Sequence, residues 1–375
     1  MTTYSRTDVS IFGRWWWTVD RWTLAALAVI TGIGIILIMA ASPPVAERIG
    51  LDGFYFVRRQ FVFLPIVLVL LVGVSLLNPT GVRRLAVTGF IISLALTAAT
   101  LVVGAEIKGA TRWINIGGFS LQPSEFVKPC FAVVAAWMFS RWRVAGDIPG
   151  HLVAIGLYVL VVGLLLSQPD VGMTILVSVV WGVQFFLAGL PMLLVAGIGL
   201  LFAAGGVGAY FTFDHVRGRI DRFLDPAGGE AYQVARSLEA VINGGLFGRG
   251  PGEGEVKAVL PDAHADFIFA VAAEEFGLVT SLLIVFLFAF VVLRGFSRVF
   301  KDSDLFVQLA VAGLLVQFGL QALINMASTI NLMPTKGMTL PFISYGGSSM
   351  AALALGMGMV LALTRDRPAG GGPLL

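Results

Sequence analysis

"TLAALAVITGIGIILIMAA", Thr23 to Ala41, decides the fold class. It holds no charged residue and is about as long as the 20 apolar residues that a membrane-crossing helix needs. The preceding 22 residues are polar and aromatic, with "RWWW" at Arg14 to Trp17. Three tryptophans at the mouth of an apolar run read as an interfacial belt, and the run behind them as an uncleaved anchor. The whole chain agrees: of 375 residues, 57% are hydrophobic and only 13% charged. Soluble domains carry about 25% charged residues, and soluble packing cannot hide this much apolar surface. The class is a polytopic membrane protein.

Outward from that first run, nine more follow, giving candidate spans at roughly 23–41, 61–77, 85–104, 124–140, 152–167, 171–188, 191–212, 267–293, 305–327 and 347–364. The expectation is an all-α polytopic membrane protein of about ten transmembrane helices. One long extracytoplasmic loop, about 213–266, lies between helices 7 and 8. Residues 1–22 form a cytoplasmic N-terminal tail, 23–364 a single membrane domain and 365–375 a cytoplasmic C-terminal tail. An even number of spans puts both termini on one side. With the termini inside, inner segments hold 12 Lys/Arg and outer segments 13, but six of the latter fall in the long loop. Long loops weigh little in the positive-inside rule, and without that loop the balance favours cytoplasmic termini. No internal repeat supports an inverted-repeat transporter plan.

Composition also excludes. One cysteine, Cys130, rules out an intramolecular disulfide and a thiolate metal cage. The three histidines lie far apart, without metal-ligand spacing. A net charge of +3 is too small to suggest nucleic acid.

Several polar clusters interrupt the apolar pattern. In "LPDAHADFIFAVAAEEFG", Leu260 to Gly277, Asp266 stands directly before an apolar run. Spacing leaves two readings open: an N-cap, its carboxylate accepting from the first helical N–H groups, or a general base desolvated by Phe267, Ile268 and Phe269. His264 reads as a structural partner. Glu274 and Glu275 follow within the run, where an unpaired charge is costly, so structural pairing is expected. In "GATRWINIGGFSLQPSEFVKP", Gly109 to Pro129, Pro123 opens a helix, and Glu125 and Lys128 share one face and can pair. In "PTKGMTLPFISYGGSS", Pro334 to Ser349, prolines and glycines forbid a continuous helix. Such backbone survives at membrane depth only when buried in protein or lining a wet cavity. Gln317, Gln321, Asn325 and Ser328 form one polar stripe, for interhelical hydrogen bonds or a cavity wall. Residues 232–243 read as a short amphipathic helix inside the long loop. "GRGPGEG", Gly248 to Gly254, reads as a turn, with a phosphate nest as the alternative. Asp170 is placed to cap the sixth span. In this topology the cations of several outer segments and one candidate base share the non-cytoplasmic face, a pattern that suits an anionic ligand.

"WINIGGFSLQPSEFVKP", "QPDVGM", "GGLFGRGPGEG", "LPDAHADFIFAVAAEEFGL" and "LMPTKGMTLPFISYGGSS" resemble, in order, the signatures of the SEDS family (shape, elongation, division and sporulation). The Lys336 loop resembles the division branch more than the elongation branch. Asp262 stands where Glu is common and Ala265 where Thr is common. The resemblance implies ten membrane helices, peptidoglycan glycosyltransferase activity on lipid II, and a location in the bacterial inner membrane at the division site. It also implies a complex with a class b penicillin-binding protein and other divisome proteins. The essential acid of the family motif falls on Asp266, which favours the base over the cap, although one residue can do both. The substrate-binding candidates are Arg112, Glu125, Lys128, Arg217, Lys336, Ser344 and Ser348. A divalent cation, Mg or Mn, is compatible with a pyrophosphate leaving group, with its ligands unassigned. Two rival readings are a lipid II flippase, with Glu274 or Glu275 and the polar stripe along its path, and a non-catalytic division scaffold.

Overall fold

The computed structural model describes residues 10–107, 110–117, 119–212, 214–224, 229–334 and 337–366. A short helix, α1 (Ile11–Thr18), precedes α2 (Arg21–Arg48), α3 (Tyr55–Ser75) and α4 (Pro79–Val103). Three strands follow, β1 (Ala105–Ile107), β2 (Ala110–Ile116) and β3 (Phe119–Leu121). Then come α5 (Pro123–Ser140), a π-helical turn (Arg141–Ala145), α6 (Gly150–Ser167), α7 (Val171–Leu187) and α8 (Met192–Thr212). The long loop contains α9 (Asp214–Leu224), α10 (Gly229–Gly244) and α11 (Val256–Val259), before α12 (Ile268–Val299), α13 (Leu305–Thr329) and α14 (Gly347–Leu363).

Each of the ten apolar runs forms a helix. Among the described residues, α2, α3, α4, α6, α12 and α13 are long and apolar enough to cross a membrane, and α7 and α14 are shorter apolar helices. Side-chain caps set several boundaries by satisfying the first free N–H groups. Asp20 accepts from Trp22 N, Asn78 from Gly81 N, Asp170 from Met173 N and Asp304 from Phe306 N. The amphipathic stretch at 232–243 lies within α10, and Gly245, with φ +54°, follows its end.

Two features were not anticipated. The three strands form an antiparallel sheet in the order β1-β2-β3, pairing Ala105 with Trp113 and Ile114 with Leu121. Two β2 partners, Trp113 and Ile114, sit in the alternating stretch "TRWINI", and a Gly-Gly pair precedes β3, which is a readable hairpin signal. The second is a break in α12 at Gly277, whose φ of +75° and ψ of −174° are not helical.

The core is built around α5 and α13, which pack on each other and are both buried along most of their length. Between α13 and α14 the chain turns back into the bundle. A methyl group on Gly34, midway along α2, would lie 2.5 Å from the Phe342 carbonyl oxygen and 2.7 Å from Ile343 Cα. Leu340, Phe342, Ile343 and Ser344 are buried. The stretch 337–346 is thus irregular backbone, enclosed by protein at residues 340–344, as its proline and glycines require.

The two ends of the described chain meet on one face. Asp366 N donates to Thr18 O, and Arg365 Nε donates to Thr18 Oγ1 at 3.0 Å. Asp20 takes both Nε and an NH2 group of Arg294 at 2.7 Å, with Arg298 at 3.9 Å. Arg298 also reaches Asp366 at 2.7 Å.

Candidate functional site

Asp266 sits in a turn just ahead of α12. Asp262, with φ +52°, starts the turn, and its carbonyl accepts from Ala265 N at 2.9 Å and Asp266 N at 3.0 Å. Phe267 is the N-cap of α12, and its own side chain makes no cap hydrogen bond. Asp266 thus stands one residue ahead of the N-cap position, within the turn that leads into the helix. Asp266 is half-buried. A methyl group placed on Gly337, which has φ +59°, would lie 3.7 Å from Asp266 Oδ2. The carboxylate therefore faces the start of the re-entrant segment.

That segment is stitched to the Asp266 turn residue by residue. Ser344 Oγ donates to Ala265 O at 2.6 Å and accepts from Leu340 N at 2.8 Å. Tyr345 N donates to His264 O at 3.0 Å. The His264 ring stacks on Phe56 with centroids 4.0 Å apart, in keeping with a structural role. Asn325 Nδ2, from α13, donates to Asp266 O at 2.9 Å and to Met338 O at 2.7 Å.

One helical turn away, Gln321 joins the same segment to α5. Its Nε2 donates to Thr339 O at 3.1 Å, and its Oε1 accepts from Lys128 Nζ at 3.1 Å. Lys128 also pairs with Glu125 at 2.9 Å, as their spacing predicts. Two members of the polar stripe thus bind the re-entrant segment and Lys128 rather than line an open wall. Ser348 Oγ accepts from Gln122 N at 3.1 Å and donates to Ser120 O at 3.2 Å, tying α14 to the sheet.

Asp266, Ser344, Lys128 and Glu125 are therefore linked through α13 and the re-entrant segment, with Ser348 at the first turn of α14. Other candidates are engaged elsewhere. Arg112 donates to Gln168 O at 3.0 Å and Pro169 O at 2.7 Å, and pairs with Asp170 at 3.2 Å, so its guanidinium holds the α6–α7 turn. Arg217 is exposed on α9, 3.6 Å from Asp221 and 6.0 Å from the Tyr210 ring centroid. No contact among the described residues brings it to Asp266. Lys336 lies outside the described residues.

The "GRGPGEG" stretch forms turns, as its main reading expects, and its N–H groups are engaged within the chain. Gly252 N donates to Glu275 Oε2 at 2.9 Å, and Glu255 N and Val256 N donate to Glu274 at 3.1 and 3.2 Å. Lys257 Nζ lies 2.5 Å from Glu275 Oε1. Within the motif Gly252 N is taken by the Glu275 carboxylate, while Gly248, Arg249 and Gly250 N donate to the carbonyls of Gly244, Glu274 and Glu275; both glutamates are buried. Among the described residues, no three His, Cys, Asp or Glu side chains are grouped to hold a metal.

A sequence model of the family described as "Cell cycle protein", FTSW_RODA_SPOVE, matches residues 21–368. The chain belongs to this family. It is 48% identical, over 97% of its length and 94% of the relative's, to a "Probable peptidoglycan glycosyltransferase FtsW" of Caulobacter vibrioides. A protein of the same description from Escherichia coli O6:H1 is 33% identical over 92% of this chain and 85% of its own length. Among solved structures, the chain resembles one described as "Structural coordination of polymerization and crosslinking by a peptidoglycan synthase complex", with TM-score 0.76, 27% identity, and 92% and 97% of the two chains covered. It also resembles the rod shape determining protein RodA of Thermus thermophilus, with TM-score 0.68, 27% identity, and 93% and 97% covered. These likenesses place the FtsW/RodA/SpoVE fold over almost the whole chain.

Within this family fold, sequence reasoning saw Gln321 and Asn325 only as a stripe. Their i, i+4 spacing was visible, but their partners, Thr339, Met338 and Asp266, lie on irregular backbone whose path no periodicity encodes.

Proposed function

We propose that the chain is a peptidoglycan glycosyltransferase that polymerises lipid II, with Asp266 as general base. The acceptor 4-hydroxyl oxygen attacks the donor's anomeric carbon. As that bond forms, the bond to undecaprenyl pyrophosphate breaks, its electron pair leaves with the pyrophosphate, and the hydroxyl proton passes to the Asp266 carboxylate. One displacement inverts the anomeric centre and needs no carboxylate nucleophile. Pyrophosphate is a good leaving group, so the remaining task is to hold developing negative charge. Lys336, two residues from Met338 in sequence, and Lys128 are the cations proposed for it. Arg112 acts by holding the α6–α7 turn. A divalent cation, Mg or Mn, would arrive on the pyrophosphate, since Mg is commonly held by substrate phosphates with one or two carboxylates.

The observation that carries this reading is that the Asp266 turn is bound, through Asn325 and Ser344, to the irregular segment at 338–344, and that the carboxylate faces Gly337. The names of the FtsW relatives support the activity. The synthase-complex neighbour supports a class b penicillin-binding protein as partner. Chain ends that meet on one face support both termini on the same side of the membrane; the positive-inside balance favours the cytoplasmic side, and the resemblance of the Lys336 loop to the division branch supports a septal location among divisome proteins. Less supports the flippase reading, because Glu274 and Glu275, two of the residues placed along its path, are bound to backbone N–H groups and Lys257.

The test is polymerisation of lipid II by the full-length chain with its class b partner. Asp266→Asn is expected to lower the rate about 10²–10⁴-fold with an unchanged unfolding temperature. Glycan made at the native rate by this variant would falsify the base assignment. Normal polymer with failed translocation would indicate a flippase.

A further inference from the structure

We propose that Asn325 is a positioning residue for Asp266, an inference that rests on the base reading above. Asn325 is buried on α13. Its single amide nitrogen donates to two carbonyls on different irregular segments, Asp266 O at 2.9 Å and Met338 O at 2.7 Å. Its Oδ1 has no hydrogen-bond partner among the described residues.

The orientation of the amide follows from that arrangement. A flipped side chain would turn its oxygen toward two carbonyl oxygens, so both N–H bonds must point at Asp266 and Met338. An unpartnered buried acceptor is costly, and the clamp persists in spite of it. The turn holding Asp266 and the segment holding Met338 have no helix or sheet ladder to fix their separation. Asn325 supplies a common reference point on a helix buried in the core. Asp266 N is already held by Asp262 O at 3.0 Å. With its carbonyl fixed as well, the carboxylate keeps only its own side-chain torsions. The same clamp sets where the carboxylate lies relative to Gly337, and hence to the loop that continues to Lys336.

Loss of such positioning lowers turnover rather than binding, because misplacement of a reacting group by about 1 Å can cost 10²-fold. The test uses the full-length chain with its class b partner and lipid II. Asn325→Leu keeps the branched outline with somewhat greater bulk and removes the donor; Asn325→Ser is a smaller polar replacement. The expected result is a fall in kcat of about 10–100-fold, KM for lipid II nearly unchanged, and a displaced acid limb of the pH–kcat profile. A purely structural role would instead reduce the active fraction evenly at every pH, in step with a lower unfolding temperature, and would overturn the inference. If neither variant yields folded protein, Asn325 is a folding residue and the inference also falls. Asp266→Asn run in parallel separates the two claims. An active Asp266→Asn sinks the base reading, whereas an inactive one beside a fully active Asn325→Ser sinks this inference alone.

Discussion

Glu275 and Lys257 meet at 2.5 Å with exposures of 0% and 8%. Neither charge has water to fall back on, so removing one partner strands the other. Glu275→Gln is expected to destabilise the protein by about 3–5 kcal/mol, read as a lowered unfolding temperature in detergent. Replacing both by apolar residues of similar volume is expected to cost far less. The carboxylates themselves were legible: two adjacent acids in an apolar run must find partners. Their partners were not, because the donors are backbone N–H groups of a glycine-rich loop about 20 residues away in sequence. Arg112 shows the same limit. Its charge suggested an anionic ligand, but its actual acceptors are Asp170 and the carbonyls of residues 168 and 169. A side chain's type is written in the sequence; its partner is a property of the assembled chain.

At the level of elements, α12 shows why a long helix was read correctly in kind and wrongly in shape. Its 32 residues would extend about 48 Å if straight, well beyond a hydrocarbon core of about 30 Å. The break at Gly277 leaves residues 278–299 as a stretch long enough to cross, and sets the part behind Asp266 against the loop at 245–257. A methyl group at Gly277 would lie 2.4 Å from Gly248 N. Both the close approach and the positive φ demand glycine there. Apolar periodicity runs straight through such a break, so only the glycine hinted at it. The re-entrant segment makes a comparable demand on α2. Gly34→Ala places Cβ 2.5 Å from a backbone oxygen, which no side-chain rotation relieves. The expected cost is about 1–3 kcal/mol, seen as lower thermal stability. Because the displaced backbone includes Phe342 and Ile343, next to Ser344, lipid II turnover should fall as well.

Across the whole molecule, the helical class and the order of the ten runs were legible because apolar length is a local property. The joining of the two chain ends was not. Asp20 illustrates what that join does. Burial alone would raise its pKa, but hydrogen bonds from Arg294 and Thr23 and the charges of Arg294 and Arg298 outweigh it, leaving the carboxyl below its ordinary 3.8. A carboxyl depressed in the folded state contributes stability above its unfolded pKa, and loses it as pH falls through the folded value. Unfolding measured against pH should therefore show an acid-side loss, beginning below about pH 4, that is reduced in Asp20→Asn. The same variant should be less stable at neutral pH by about 1–3 kcal/mol.

The Thr18–Arg365 contact joins positions 347 residues apart. A ribosome delivers the first partner long before the second. Every helix in between must be inserted while the opening segment waits without its final neighbours. Synthesis halted before residue 365 should therefore leave a chain whose membrane helices are in place but whose segment around Thr18 remains open to protease, and residues 365 and 366 act as a late stitch of the bundle.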